Sequence, residues 1–153
     1  MRRHDREVSE RAKIDEIIES CVRLGLNAED GAYIVPLSFG YAPGEIAKFY
    51  FHSAMEGRKV SMIADGAKAG FEMDSAHALG EAELGCKHTY FFRSVIGTGT
   101  VRPVADLEEK KRALTLIMAH YRKDRAFSFT DEQARTVAVF CLTVDQMTAK
   151  EHV

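Results

Sequence analysis

The feature that most constrains the fold is a series of short segments with strand periodicity that are joined by tight turns. In the first segment, Val22, Leu24 and Leu26 alternate with polar or small residues, as in a strand with one buried face. The turn signals Asp30-Gly31 and Pro43-Gly44 follow. The first three predicted strands cover residues 22–27, 32–41 and 45–52. Because such turns join antiparallel neighbours, we predict a meander of three antiparallel strands.

The remaining segments add helices around further strands. Ser9 is a good N-cap for a first helix, and Ser53-Ala54-Met55-Glu56 matches a capping box that predicts a second helix. That second helix is expected to run to about Ala64, where Gly66 is placed to end it. Further helices are predicted from Asp106 and from Thr130, and further strands over residues 67–74, 90–104 and 137–144. Without the strand–helix alternation of a parallel sheet, this pattern predicts an α+β fold built on a closed or split antiparallel barrel.

Length and charge exclude several classes of function. The 153 residues have the size of one domain and contain no repeat or linker, so residues 1–153 are predicted to form a single domain. The 21 basic and 23 acidic residues are spread along the chain, which argues against nucleic-acid binding because no broad positive field results. No apolar run approaches the roughly 20 residues of a membrane span. Three scattered cysteines are typical of reduced thiols, so we expect a cytoplasmic protein without membrane or nucleic-acid partners.

Pro36 is the first departure from what a plain barrel needs. It stands inside an otherwise good strand, where it removes one donor from the hydrogen-bond ladder. The neighbouring backbone groups are then available to a planar heterocycle with donors and acceptors on its edge, such as a flavin. The alternative is that Pro36 marks only an edge strand or a bulge. Further along, Gly97-Thr98-Gly99 inside a strand predicts a bulge or a close backbone approach.

The second departure is the segment from His52 to Lys59, where a strand is predicted to end and a helix to begin. Arg58 and Lys59 bring two cations close to the start of that helix, where positive charge is unfavourable. A bound anion would reverse this balance, and a phosphate is the natural candidate because Ser53 and both cations could contact it. The alternative is that Ser53 only caps the helix and that both cations are solvated.

Together these motifs resemble the pyridoxamine 5'-phosphate oxidase-like flavin-binding family, and most closely its Nim-type branch, which is related to nitroimidazole resistance. The resemblance is carried by Pro36-Leu37-Ser38-Phe39-Gly40-Tyr41, by the segment from Phe49 to Lys59 and by Arg93-Ser94-Val95-Ile96-Gly97-Thr98-Gly99. Residues 114–121 and 147–150 extend it over nearly the whole chain. It implies a mainly β (α+β) fold, a six-stranded antiparallel Greek-key split β-barrel with peripheral helices. It also implies a homodimer with FMN at the interface.

The resemblance further implies which residues bind FMN. The expected cofactor-binding residues are Pro36, Leu37, Ser38, Phe39, His52, Ser53, Arg58, Lys59, Arg93, Ser94 and Val95. Of these, the segment Pro36–Phe39 would run along the isoalloxazine, Lys59 with Arg58 would bind the phosphate, and Arg93–Val95 would close the site, from the partner subunit in one arrangement. His52 is the candidate catalytic residue, since an imidazole beside a flavin can hydrogen-bond a substrate or deliver a proton. A purely positioning role for His52 is the alternative.

Three functions remain open at this point. The first is an FMN-dependent oxidoreductase that acts on a small electron-poor substrate, for example a nitroaromatic compound. The second is a flavin-binding redox sensor without efficient turnover. The third is a haem-binding protein. A metal site can be imagined from His77, Cys86 and His88, together with Asp74 and Glu83. Their spacing does not match zinc-finger ligands, and we therefore expect no metal.

Overall fold

The computed structural model describes residues 4–27 and 34–153, so the predicted Asp30-Gly31 turn lies outside the described residues. The strands are β1 (Glu7–Val8), β2 (Leu24–Asn27), β3 (Val35–Leu37), β4 (Gly40–Ala42), β5 (Lys48–Ser53), β6 (Ala67–Gly80), β7 (Thr89–Pro103) and β8 (Ala138–His152). The helices are α1 (Arg11–Ser20), α2 (Arg58–Ile63), α3 (Leu107–Tyr121) and α4 (Asp131–Arg135). The described residues thus contain eight strands instead of the predicted six, because the predicted strand 32–41 is divided in two and β1 is added.

One antiparallel sheet contains all eight strands, and the chain itself connects the strands at its two ends. Its order is β3-β2-β6-β7-β8-β5-β4, with β1 paired to β8. The two strands at the ends of this order, β3 and β4, are consecutive in sequence and are joined only by Ser38 and Phe39, which we call the closing link. The sheet must therefore curl into a barrel. The predicted barrel architecture is confirmed. The antiparallel pairings of the predicted meander are also present, since β2 pairs with β3 and β4 pairs with β5, but its middle strand is divided at the closing link.

Glycines permit the tight curvature of the long strands. The β7–β8 register shifts between Thr98 and Gly99, so the predicted bulge is confirmed. A Cβ on Gly99 would lie 2.4 Å from the carbonyl oxygen of Thr143, and one on Gly97 would lie 2.5 Å from the ring of Phe71. These positions exclude any side chain, which explains why glycine recurs at this bend.

The barrel interior is filled by aromatic and branched side chains. Phe39, Phe49, Phe51 and Phe140 are fully buried there, and the first three follow the inward faces of the closing link and β5. Helix α1 contributes Ile14, Ile17 and Ile18, as its predicted apolar face requires. A smaller apolar cluster lies under α3 and α4 and is formed by Tyr50, Val104, Ala113, Leu114, Ala134, Val139 and Cys141. The second cluster fixes α3 across the outside of β4 and β5.

Helix starts were predicted well where the cap is purely local. The Asp106 carboxylate accepts a 2.8 Å hydrogen bond from the Glu109 amide at the start of α3. Thr130 forms a reciprocal capping box with Gln133 at α4. In the first helix the N-cap position is occupied by Glu10 instead of the predicted Ser9, and the Glu10 side chain makes no capping hydrogen bond. Within residues 4–27 and 34–153, we find no helix with the length and apolar character needed to cross a membrane.

The helix predicted to start at Ser53 begins later in the structure. Ser53 is the last residue of β5, where it pairs with Ala138, and its hydroxyl donates to the carbonyl oxygen of Ala54 at 2.7 Å. It therefore does not cap a helix, and the capping-box prediction is wrong. Helix α2 follows Gly57, whose φ of 127° favours glycine, and it begins at Arg58. Gly66, with a φ of 84°, follows the end of α2 as predicted, and its amide donates to the Ile63 carbonyl.

Candidate functional site

The segment His52–Lys59, which we call the β5–α2 junction, runs from the end of β5 over an exposed turn into α2. Its register is fixed by β8, since His52 pairs with Val139 and Ser53 with Ala138. The turn lets Lys59 approach His52 closely enough for its charge to act on the imidazole. The sequence-predicted residues of this segment are therefore brought together by the end of one strand and the first turn of one short helix.

The electrostatics of the β5–α2 junction favour an anion. Burial lowers the pKa of the Lys59 ammonium group, and no carboxylate forms an ion pair with this group in the part of the chain that the structure describes. Burial, and then the positive charge of Lys59, lower the pKa of His52 below its ordinary value of 6.5. A negatively charged group beside both residues would stabilise their protonated forms. The local charge is thus suited to a phosphate.

Two apolar cavities flank the β5–α2 junction. The first has a volume of about 290 Å³, and its walls include His52 together with Leu114, Ile117, Met118, Phe129, Gln133, Thr136 and Val137 from α3, α4 and their surroundings. The second also has about 290 Å³ and is lined by Met55, Val60, Ala64, Pro103, Val104, Lys110, Ala138, Val139 and Phe140. His52 therefore lies between a cationic surface and an apolar wall, which together suit a planar ring that carries an anionic tail.

The predicted isoalloxazine segment, Pro36–Phe39, contributes mainly backbone. Pro36 is exposed in β3, whereas the side chains of Leu37 and Phe39 are buried in the barrel interior. The Ser38 hydroxyl accepts a hydrogen bond from the Arg23 guanidinium, and the Phe39 amide donates to the Tyr121 hydroxyl at 3.1 Å. The β4–β5 register pairs Gly40 with Tyr50, so the closing link leads toward the His52 end of β5.

The predicted segment Arg93–Val95 lies elsewhere in the same chain. Arg93 forms ion pairs with Glu151 at 2.8 Å and with Glu16 at 3.2 Å, and Val95 is fully buried. On β7 the level of His52 is reached only near Pro103, whose partner Phe140 adjoins Val139. Arg93 is about ten residues away along the strand, or roughly 30 Å of extended chain. One chain alone does not bring this segment to the β5–α2 junction.

The residues considered for a metal do not assemble. His77 forms an ion pair with Asp74 at 3.2 Å, and Cys86 is exposed in a separate turn. In residues 4–27 and 34–153 there is no group of three or more His, Cys, Asp or Glu side chains that could hold a metal ion.

Comparison with known proteins identifies the family. The sequence profile of the pyridoxamine 5'-phosphate oxidase family matches residues 10–151. This chain belongs to that family. A solved structure of a candidate 5-nitroimidazole antibiotic resistance protein from Bacteroides thetaiotaomicron is 32% identical to it, with a TM-score of 0.79, and the match covers 94% of this chain and 85% of that one. The resemblance to the Nim-type branch is thereby confirmed.

More distant members of this fold are less than 25% identical and support the fold alone. The FAD- and haem-binding protein from Mycobacterium smegmatis is 15% identical with a TM-score of 0.76, over 95% of this chain and 73% of that one. A flavocytochrome from Azotobacter vinelandii is 15% identical with a TM-score of 0.78, over 100% of this chain and 72% of that one. No curated protein sequence is significantly similar to this chain.

Two features of this family member were missed in the sequence. A Cβ on Gly40 would lie 2.5 Å from the Ile117 amide nitrogen, so Gly40 lets β4 touch the backbone of α3. Glycine between aromatic residues in a strand is the signal that could have indicated this approach. The other feature is Tyr121, which belongs to the family-like segment 114–121 and bonds to the closing link; its pattern looked like an ordinary apolar helix face.

Proposed function

We propose that this protein binds FMN at the β5–α2 junction and uses it as an oxidoreductase. The observation that carries the proposal is the half-buried Lys59 ammonium beside His52, without a carboxylate partner in the described residues. A structural lysine in such surroundings would be expected to have an acidic partner, because burial of an unpaired charge is unfavourable. A phosphate ester would supply the missing charge, and Arg58 at the start of α2 could share it.

The adjoining apolar cavities support a flavin as the group that carries this phosphate. A planar, mostly apolar ring system needs walls of the kind that Leu114, Ile117 and Phe129 form beside His52. The fold also accommodates flavins in other proteins, since the Mycobacterium smegmatis structure is that of an FAD- and haem-binding protein. FMN is preferred here because the cations lie at one end of a short junction, which suits a terminal phosphate.

A homodimer is part of the proposal. The predicted contacts Arg93, Ser94 and Val95 are about ten residues along β7 from the level of His52, so one subunit cannot supply them together. A second copy that packs on the exposed face of β6 and β7 could bring its own segment to the junction. Exposed apolar side chains on these strands, Leu79, Tyr90 and Ile96, are consistent with such packing.

Bound FMN would supply the hydride or electron transfer, and the residues of the chain have simpler tasks. Lys59 and Arg58 hold the phosphate, and the apolar walls exclude water from the ring. The ring N–H of His52 can donate a hydrogen bond to a substrate oxygen. A small electron-poor compound, for example a nitroaromatic one, could accept such a hydrogen bond while it lies against the flavin ring.

The test begins with the absorption spectrum of the purified protein and mass spectrometry of the ligand that denaturation releases. We expect flavin bands, release of FMN, and quenching of FMN fluorescence when the cofactor is added back. Bleaching by NADH or NADPH, followed by reoxidation with a nitroaromatic compound, would support the oxidoreductase. Bound FMN that no substrate reoxidises would favour a flavin-binding sensor instead. A Soret band after addition of haemin, with no FMN binding, would overturn the proposal in favour of a haem protein.

A further inference from the structure

The closing link is held by two residues at the end of α3. The Tyr121 hydroxyl accepts a 3.1 Å hydrogen bond from the Phe39 amide and donates a 2.8 Å hydrogen bond to the Val22 carbonyl, just before β2. A tyrosine hydroxyl has one hydrogen to donate, so this side chain makes both kinds of bond at once. Tyr121 thus joins the closing link to the strand that pairs with β3.

His120 reinforces the same two segments. Its Nε2 lies 2.7 Å from the Cys21 carbonyl oxygen, and its ring centroid lies 4.3 Å from that of Phe39. A carbonyl oxygen can only accept, so Nε2 carries the proton and donates. The side chain is only 3% exposed, and this burial makes the contact a fixed part of the fold. Consecutive residues of α3 therefore hold Cys21, Val22 and Phe39 in place.

The contacts of Tyr121 and His120 with the closing link bear on function because this link adjoins the segment proposed to face the cofactor. This step rests on the FMN proposal and on the expectation from the family resemblance that the flavin ring would run along Pro36–Phe39, where proline has no N–H to offer. Tyr121 takes the Phe39 N–H and so fixes the plane of the Ser38–Phe39 peptide. The remaining backbone groups of Pro36, Leu37 and Ser38 then have one orientation toward a ligand. Such outer contacts determine how accurately a binding group is placed.

We propose that Tyr121 and His120 are positioning residues for the flavin site, acting through the closing link without touching the cofactor. They belong to α3, which also contributes Leu114, Ile117 and Met118 to the cavity beside His52. The same helix therefore orients the backbone segment proposed to face the flavin ring and one wall of the apolar cavity beside His52. A shift of its last turn would be transmitted to both.

The test compares Tyr121→Phe with Tyr41→Phe. Tyr41 is a matched control because its hydroxyl also makes both kinds of bond, donating to Asp15 at 2.6 Å and accepting from Arg11 at 3.0 Å, but it joins β4 to α1. We expect Tyr121→Phe to raise the Kd for FMN about tenfold and to alter the visible spectrum of bound FMN, whereas Tyr41→Phe leaves both unchanged. His120→Gln, which retains a donor for the Cys21 carbonyl, should bind FMN more tightly than His120→Leu.

Hydrogen exchange on the protein without added FMN gives a second, independent readout. Tyr121→Phe should increase exchange of the Phe39 amide selectively, and Tyr41→Phe should not. Equal FMN affinity in Tyr121→Phe and wild type, or an equal loss in both tyrosine variants, would overturn the positioning role. If wild-type protein binds no FMN, the proposed function fails, and the exchange experiment still determines whether Tyr121 holds the closing link.

Discussion

The closing link and the β5–α2 junction differ in how their polar groups are satisfied. At the closing link, the Phe39 amide and the Ser38 hydroxyl have partners within the chain, and the Phe39 ring is fully buried. At the β5–α2 junction, burial disfavours the protonated forms of His52 and Lys59, and the charge of Lys59 further disfavours that of His52. These two polar groups of the closing link have partners without any ligand, whereas an anion would stabilise the protonated forms of the two basic side chains at the β5–α2 junction. The fold thus provides a fixed backbone segment and, at the β5–α2 junction, a pair of basic groups whose protonated forms an anion would stabilise.

The largest effect is expected from Gly40→Ala, which places a side chain directly after the closing link, where β4 contacts α3. The added Cβ would lie 2.5 Å from the Ile117 nitrogen and 2.7 Å from the Leu116 carbonyl carbon, and backbone cannot move aside as a flexible side chain can. We expect the free energy of unfolding to fall by about 3 kcal/mol in chemical denaturation. Gly70→Ala is the control, because its Cβ would meet nothing closer than 3.9 Å. Equal stability of the two variants would contradict the tight approach of β4 and α3.

The next effect concerns the charged region. Replacing Arg58 and Lys59 together by alanine should raise the Kd for FMN at least about 100-fold, since each charge-assisted contact contributes roughly 1.5–3 kcal/mol. The melting temperature should hardly change, because Arg58 is exposed and Lys59 is only half-buried. Lys123→Ala is the control, as this lysine pairs with Glu19 at 2.8 Å on an exposed surface. Unchanged FMN affinity in the double variant would show that the β5–α2 junction is not the phosphate-binding site.

His52→Ala separates chemistry from binding at the same junction. We expect FMN to be retained and kcat with any substrate to fall at least about tenfold, because general acid–base or hydrogen-bonding groups contribute this much or more. His52→Gln keeps a hydrogen-bond donor but cannot transfer a proton, so activity in this variant would indicate a positioning role. Unaltered kinetics in His52→Ala would remove it from the catalytic residues.

Sequence patterns predicted the features that depend on nearby residues. The caps at Asp106 and Thr130 involve partners three positions away, so a local pattern contains all the information needed. The bend at Gly97 and Gly99 was predictable for a similar reason, since glycine inside a strand is rarely tolerated without a close approach. Such local signals were sufficient for the antiparallel class and most helix starts.

Apart from the N-cap of the first helix, the wrong predictions involve partners that are distant in sequence. Ser53 matches a capping box, but pairing with Ala138 keeps it in β5, and a local pattern cannot reveal that competition. Likewise, residues 32–41 look like one strand. In the structure this segment contains β3, which pairs with β2, and β4, which pairs with β5, at opposite ends of the sheet. The close approach of Gly40 to Ile117 is equally non-local.

The candidate site was predicted partly, for a reason that lies in strand geometry. Consecutive strand residues point to opposite faces, so a contiguous motif such as Pro36–Phe39 cannot present every side chain to a cofactor. Leu37, Phe39 and Val95 accordingly point into the interior, and their predicted role in FMN binding is restricted to backbone contacts. Their role, and that of the other predicted site residues, remains a prediction. Tyr121 and His120 could not be found this way, because their partners are 82 or 99 positions away.

The smallest effect, and the most direct measure of the charged region, is the pKa of His52 followed by NMR of its imidazole. Burial and then Lys59 lower this pKa below 6.5, so well above pH 6.5 His52 is neutral in both the folded and unfolded states and its titration does not affect stability. As the pH falls through 6.5 toward the folded pKa, the unfolded state binds the proton first, and stability decreases.

Lys59→Ala should raise the pKa of His52 only part of the way to 6.5, because burial remains the larger cause. Added FMN, or inorganic phosphate at higher concentration, should raise it in the wild type, since an anion stabilises the protonated imidazole. Lys123→Ala should leave it unchanged. If neither Lys59→Ala nor phosphate moves this pKa, His52 and Lys59 do not share one anion site, and the contrast with the closing link disappears.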